Sequence, residues 1–348
     1  LLQLLSWPAP YHGNPYLSRL TAALRDEGVE SISHRYLAGL AASHHMRAPR
    51  ARWLHVHWPE WMLQDTNVVR ARARALWFFA LVDSLRAQGI KLLWTAHNLI
   101  GHDDPHPALG LELRRRWLAR CSAVLGHFAS AEQSVRELGF VGRFLLSPHP
   151  HAADDYGLDE GTDRAELRRV FECSPEGLLL VGFGAIEHYK GFDRLVSAFV
   201  AHADRNDRLV IAGAARKRDE LAAVLRATRT DERVSLRPWH HSRAESAQLL
   251  TAADALVLSY RQFFTSGTAM LALTMGAAVI GPAEHHLSAI AGEPFFFAMP
   301  SVEADFAGAL ARLRATSDSA IRTRAQRWAM QWTYQAMARK IAELLREQ

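Results

Sequence analysis

Short apolar or β-branched runs alternate along the chain with longer stretches whose apolar residues recur at helical spacing. After an opening strand, the first half has such runs at Ala51–Val56, which ends at a Trp-Pro pair, and at Lys91–Thr95, Ala123–Gly126 and Phe144–Leu146. Amphipathic stretches such as Asp65–Gln88 and Glu112–Ala119 lie between them. The rhythm restarts beyond a polar segment at Ala152–Asp163, with strands predicted at Leu178–Gly182, Leu209–Ala212, Val234–Leu236, Ala255–Ser259 and Ala278–Ile280. Strand, helix, strand repeated in this way predicts parallel sheets with crossover helices. Two such blocks predict an α/β protein of two Rossmann-like, doubly wound domains, over residues 1–155 and 156–325, facing an interdomain cleft. The final stretch Ala325–Gln348 reads as one long helix with Met330, Tyr334, Met337, Ile341, Leu344 and Leu345 on its apolar side. As a C-terminal helix over 326–348 it is long enough to cross back toward the first domain.

Length and composition agree with two cores, since the 348 residues are 49% apolar and 22% charged. No run of eighteen apolar residues and no secretory leader pattern is apparent, so a cytoplasmic chain, at most peripheral on the inner face of the plasma membrane, is expected. Cys121 and Cys173 are far apart and in no zinc-like spacing, which argues against disulfide and structural-metal chemistry. The net charge of +5 is unevenly placed: residues 1–150 hold 17 Lys and Arg against 11 Asp and Glu. That excess suits an anionic ligand or membrane surface. No pattern of a nucleic-acid-binding module accompanies it, so nucleic acid is not an expected partner.

Candidate chemistry gathers at predicted strand ends. Gly182-Phe183-Gly184 follows a strand and leads through Tyr189-Lys190-Gly191 into a helix; glycines there let the backbone approach a phosphate, and a lysine can neutralise it. A tight turn is the plainer account of the glycines alone. Ser266-Gly267-Thr268 opens a second helix after a strand, offering hydroxyls and unpaired amides, although a simple N-cap has the same look. In the first half, His55-Val56-His57-Trp58-Pro59-Glu60 and His97-Asn98 with His102-Asp103-Asp104 end strands. His-x-His can be half a metal site, but no HExxH or carboxylate trio supports one, and no metal is expected. Glu60, His97, His102, Asp103 and Asp104 are acid/base candidates. Arg70, Arg74, Trp77, Phe78, Leu81 and Leu85 form a basic and aromatic helical stretch, readable as a solvated face over a core or as contact with a polyprenyl-diphosphate acceptor or anionic headgroups.

Taken together, Asn14-Pro15-Tyr16-Leu17, His55–Glu60, His97-Asn98 with His102, Phe183-Gly184 through Tyr189-Lys190-Gly191, and Ser266-Gly267-Thr268 with Leu271-Ala272-Leu273 resemble the bacterial exopolysaccharide glycosyltransferases of the GT-B fold, in particular their xanthan-type mannosyltransferases. The likeness runs nearly the whole chain in order and spacing. It implies a nucleotide-sugar donor in the second domain, GDP-mannose first and UDP-sugars next, and a glycan or lipid-linked acceptor in the basic first domain. It also implies inversion without a metal or other cofactor. Gly184, Lys190, Ser266, Gly267 and Thr268 would hold the diphosphate, Glu60 or Asp104 would be the base with Asp103, His102 or His12 next, and His97 would orient the donor. The glutamate pair of retaining relatives would fall on Phe263 and Leu271, and their phosphate-loop arginine on Ala185, which argues against retention. An epimerase acting on nucleotide sugars, or a catalytically idle assembly partner on the same architecture, are the competing expectations.

Overall fold

The computed structural model describes the chain apart from residues 12–13, 48–49, 61–64, 103, 157–162, 216, 230, 317–318 and 348 and the side chains of 43–45 and 47. It forms two compact units, Leu1–His149 with Thr333–Gln348, and Pro150–Trp332. Each is built on one six-stranded, wholly parallel sheet with helices on both faces, the doubly wound architecture that the sequence pattern predicts.

In the first unit the strands are β1 (Leu2–Trp7), β2 (Val29–Ser33), β3 (Trp53–His57), β4 (Lys91–Thr95), β5 (Ala123–Gly126) and β6 (Arg143–Leu146), in the order β2-β1-β3-β4-β5-β6. The central strands are covered on both sides, so β4 is buried from Leu92 to Thr95 and reads as a continuous apolar run. On one face Leu4, Leu93 and Leu125 pack with Leu17, Leu20 and Leu24 of the helix Pro15–Asp26. That helix starts sharply because Asn14 accepts the Tyr16 amide at 3.0 Å and Pro15 pre-sets the first turn. The helix Val68–Ala87 is begun by Asn67, whose side chain accepts the Val69 and Arg70 amides. It buries Phe78, Val82 and Leu85, and Phe78 lies 5.5 Å from the ring of Trp117.

The second unit contains β7 (Leu179–Phe183), β8 (Arg208–Ala212), β9 (Val234–Arg237), β10 (Ala255–Val257), β11 (Ala278–Gly281) and β12 (Phe296–Ala298), ordered β12-β11-β10-β7-β8-β9. Its strand residues divide by the two-residue period: Leu179, Val181, Val210 and Leu256 enter one core and Leu180, Leu209, Ile211 and Val257 the other. At the start of β7, Asp254 accepts from Arg164 and Arg168 at 2.6 Å and from the Leu179 amide at 2.7 Å.

Two edge strands, β2 and β12, were not expected from the pattern. The single terminal helix is corrected as well: it is two helices, Ser319–Met330 and Tyr334–Arg346. Thr333, extended and accepting the Ala336 amide at 3.1 Å, starts a new helix where the apolar periodicity runs on unbroken. The second of these helices belongs to the first unit, where Met337, Ile341, Leu344 and Leu345 cover the helix Pro15–Asp26. Thr333→Ala removes this cap, and a loss of about 1 kcal/mol in the unfolding free energy of the first unit is expected in urea titrations. An unchanged midpoint would show that packing alone sets the helix start.

Candidate active site

Each sheet reverses its winding once, between β1 and β3 in the first unit and between β7 and β10 in the second. Loops leaving neighbouring strands at such a point run to opposite faces and leave a crevice beyond the carboxyl ends. The two phosphate-loop candidates of the sequence are the loops after β7 and after β10, so the fold brings them together.

Three hydrogen bonds stitch these loops. Ser259 donates its hydroxyl to the Lys190 carbonyl at 2.7 Å, the Arg261 amide donates to the Tyr189 carbonyl at 2.6 Å, and Lys190 Nζ donates to the Tyr260 hydroxyl at 2.9 Å. The Tyr260 hydroxyl is 3.1 Å from Thr268 Oγ1, which is 3.4 Å from Ser266 Oγ. Lys190 Nζ also reaches the Phe183 carbonyl at 3.5 Å. Lys190 is buried, which works against its charge, yet the phenol oxygens of Tyr260 and Tyr189 beside it raise its pKa and keep it an ammonium. Gly184 has φ +108°, and a Cβ there would sit 2.8 Å from that ammonium. A glycine is therefore required for Lys190 to lie against the loop.

Ser266 is the N-cap of the helix Gly267–Thr274, accepting the Ala269 amide at 3.3 Å, while its own amide donates to His286 Nδ1. Of the three amides expected to face a phosphate, that of Ser266 is thus engaged. Those of Gly267 and Thr268 are first-turn N–H groups of the kind a helix leaves without an internal partner.

In the first unit, histidines follow four consecutive strands: His57 ends β3, and His97, His127 and His149 come just beyond β4, β5 and β6. They collect around Tyr16, whose ring meets those of His57, His97, His127 and His149 at 4.9–5.9 Å. His57 Nδ1 is 3.1 Å from His97 Nε2, His55 Nε2 is 2.7 Å from Thr95 Oγ1, and His127 is 2.8 Å from the Ser147 carbonyl. Trp58 stacks on His97 at 4.3 Å and takes a left-handed backbone, φ +45°, to do so. That conformation costs a bulky residue roughly 1–3 kcal/mol. Burial lowers the pKa of His55 to about 3 and holds those of His57 and His97 well below the usual imidazole value, with the neighbouring histidines adding to the effect on both. The rings are neutral.

The two favoured carboxylates differ in their surroundings. Glu60 is buried; its Oε2 accepts from Arg114 Nη2 at 3.2 Å and its Oε1 from Asn98 Nδ2 at 3.3 Å. Arg114 lies 4.3 Å over the Trp94 ring and also donates to the Leu99 carbonyl. Asp104 is half-buried, its Oδ1 accepting the His106 amide at 2.8 Å and its Oδ2 packed against Gly110, where a Cβ would collide. His102 is half-buried in the same loop. His12 and Asp103, the other base candidates, lie outside the described residues. Tyr260, Tyr16, His127 and His149 were not singled out for a role by sequence reasoning. The recurrence of a histidine past each strand end was the available signal. Among the described residues no group of three or more His, Cys, Asp or Glu side chains is placed to hold a metal, and no helix is long and apolar enough to cross a membrane.

Residues 177–316, which include both phosphate-loop candidates, match the family described as glycosyl transferases group 1. With the two-sheet GT-B architecture, this makes the chain a glycosyltransferase. It is 28% identical, over 286 residues, to the GDP-mannose:glycolipid 4-beta-D-mannosyltransferase of Xanthomonas campestris pv. campestris, which covers 80% of this chain and 73% of that one. Among solved structures it is similar to sucrose-phosphate synthase from Thermosynechococcus elongatus, with a TM-score of 0.73 and 15% identity over 100% and 99% of the two chains. It is also similar to HepE of Anabaena in complex with UDP-glucose, with a TM-score of 0.71 and 11% identity over 99% of each.

The neutral histidines make the first unit acid-sensitive. Their folded pKa values lie below the unfolded value of about 6.5, so the stability they contribute is complete above that pH and is lost as pH falls toward the folded values. Each costs up to about 1.4 kcal/mol per pH unit in that window. Urea midpoints of the first unit, followed by the near-ultraviolet signal of its tryptophans, should fall between pH 7.5 and 5.5. Stability that stays level or rises over that interval would mean the rings are charged in the folded state.

Proposed function

We propose that this chain transfers a hexose from a nucleoside-diphosphate sugar to a glycan or polyprenyl-diphosphate-linked acceptor, with GDP-mannose as donor and inversion at the anomeric carbon, in assembly of an exopolysaccharide or related glycoconjugate. The observation that carries this reading is the Lys190–Tyr260–Thr268 chain at the switch point of the second unit. A buried ammonium beside first-turn amides matches the charge of a diphosphate, and it supplies the leaving-group stabilisation that a divalent ion supplies elsewhere. The printed donor of the Xanthomonas relative favours GDP-mannose, and the UDP-glucose of the HepE structure supports a nucleotide sugar more generally. Inversion is supported by Phe263 and Leu271, which are apolar and buried where retaining relatives are expected to have carboxylates.

In this mechanism a base of the first unit takes the acceptor hydroxyl proton as the oxygen attacks the anomeric carbon. The bond from that carbon to the diphosphate oxygen breaks, the electron pair leaves with the nucleotide, and Lys190 offsets the developing charge. Asp104 is the base we favour. Both oxygens of Glu60 are already engaged, one by the Asn98 amide and one by the Arg114 guanidinium, so the side chain is committed to holding its loop. Glu60 then anchors the loop that carries His97 and Asn98. The acceptor's lipid or the inner membrane face suits the outer side of the helix Val68–Ala87, where exposed Val69, Leu76 and Trp77 lie among Arg70, Arg72 and Arg74.

Two experiments test the reading. Lys190→Ala should weaken nucleotide-sugar binding by about 1.5–3 kcal/mol in calorimetry, the scale of a hydrogen bond to a charged group; unchanged affinity in a folded variant removes Lys190 from the site. Asp104→Asn should lower kcat by about 10²–10⁴-fold at near-normal donor affinity. Glu60→Gln, by contrast, should chiefly destabilise the fold, by about 3–5 kcal/mol, since it leaves Arg114 buried without its counter-charge. If Glu60→Gln melts normally and loses kcat while Asp104→Asn turns over normally, the base is Glu60.

A further inference from the structure

His57 Nδ1 and His97 Nε2 face each other at 3.1 Å, and burial keeps both rings neutral. A neutral imidazole carries a single N–H, so one ring donates and the other accepts. Were His97 the donor, His57 would carry its own proton on Nε2. That atom is buried and has no hydrogen-bond partner among the described residues. An orphaned buried N–H is the rarer and costlier defect, an unshared lone pair the milder one.

We infer that His57 donates its Nδ1 proton to His97 Nε2 and thereby fixes His97 as the Nδ1–H tautomer, a hydrogen-bond donor to an oxygen of the sugar nucleotide and not a proton acceptor. His57 is then a positioning residue. The surroundings hold the geometry from three sides: Trp58 is stacked on His97 within 16° of parallel, Tyr16 meets the same ring edge-on at 4.9 Å, and His55 lies 4.1 Å from His57. His97 itself follows a tight turn in which its amide donates to the Thr95 carbonyl at 3.0 Å, so the backbone too is fixed. The Nε2 lone pair of His97 is spent on His57. The proton the ring has left to offer is on Nδ1, which suits it to bind an electron-rich oxygen and leaves the base's work to a carboxylate.

The assignment of a sugar-nucleotide oxygen rests on the function proposed above, whereas the tautomer stands without it. The test therefore starts with nitrogen spectra of the whole chain carrying ¹⁵N-labelled histidine, at pH 7.5 and without substrate. His57→Asn keeps an N–H where His57 Nδ1 was; His57→Phe removes it; and the resonances lost in His57 and His97 variants assign the signals. The wild type and His57→Asn should show His97 protonated on Nδ1, and His57→Phe should give a mixture of tautomers. In turnover of nucleotide sugars with a lipid-linked acceptor, His57→Phe should lower kcat by about 10-fold or more, as when a catalytic ring is released into the wrong tautomer, with His57→Asn restoring much of it. Wild-type His97 protonated on Nε2 overturns the inference, whether or not any variant folds. So does a His57→Phe variant whose His97 signals are unchanged. A confirmed tautomer with no turnover of any nucleotide sugar would fault the proposed function alone.

Discussion

A parallel sheet can reverse its winding only where two adjacent strands send their following connections to opposite faces, and the candidate chemistry of this chain depends on that constraint. In the second unit the reversal lies between β7 and β10, residues separated widely in sequence but paired through Leu180 and Val181 with Ala255 and Leu256. The backbone register delivers Gly184 and Tyr260 to the same end of the sheet. In the first unit the reversal lies between β1 and β3, and Tyr16 and Trp58 follow the two strands that part there. Neither pair could have been joined by local propensity. Both follow from strand order.

Given that placement, a buried ammonium becomes tolerable. Lys190 loses much of its hydration, and a cation without partners would shift its pKa and discharge. The Tyr260 and Tyr189 phenols, the Phe183 carbonyl and the nearby charge of Glu187 offset that loss. The absence of a side chain at Gly184 leaves the room in which that ammonium lies against the loop.

How much of this was legible in the sequence follows from what each feature depends on. Central strands such as β4 and β5 are buried on both faces, so their apolar runs appear in the sequence with nearly the observed ends. The edge strand β2, Val-Glu-Ser-Ile-Ser, is buried fully only at Val29 and has no such run. The break before Tyr334 was hidden because Thr333 is a cap whose effect is local, while the apolar periodicity that suggested one helix continues through it. The candidate phosphate-loop residues were visible as strand-end glycines and a helix start that a turn and an N-cap explain equally well; the structure gathers them, but their connection through Tyr260 is a long-range contact. Nothing adjacent to Tyr260 in sequence announces that its hydroxyl will bridge Lys190 and Thr268.

The first unit shows a different use of burial. Histidines are collected at strand ends without a metal-holding group of ligands among the described residues, and the desolvation that would make a charged ring costly keeps His55, His57 and His97 neutral. Neutrality is what gives a histidine array direction: a charged ring donates from both nitrogens, whereas a neutral one must donate from one and accept at the other. Orientation therefore passes from ring to ring, beginning where burial leaves His57 Nε2 no partner among the described residues and ending at the proton His97 presents. Glu60 and Arg114 hold the neighbouring loop with a full ion pair, while His55, His57 and His97 are held neutral by burial. The unit thus separates two tasks, fixing backbone with charge and fixing proton position without it. Only the second sets the donor or acceptor character of a side chain before any substrate arrives.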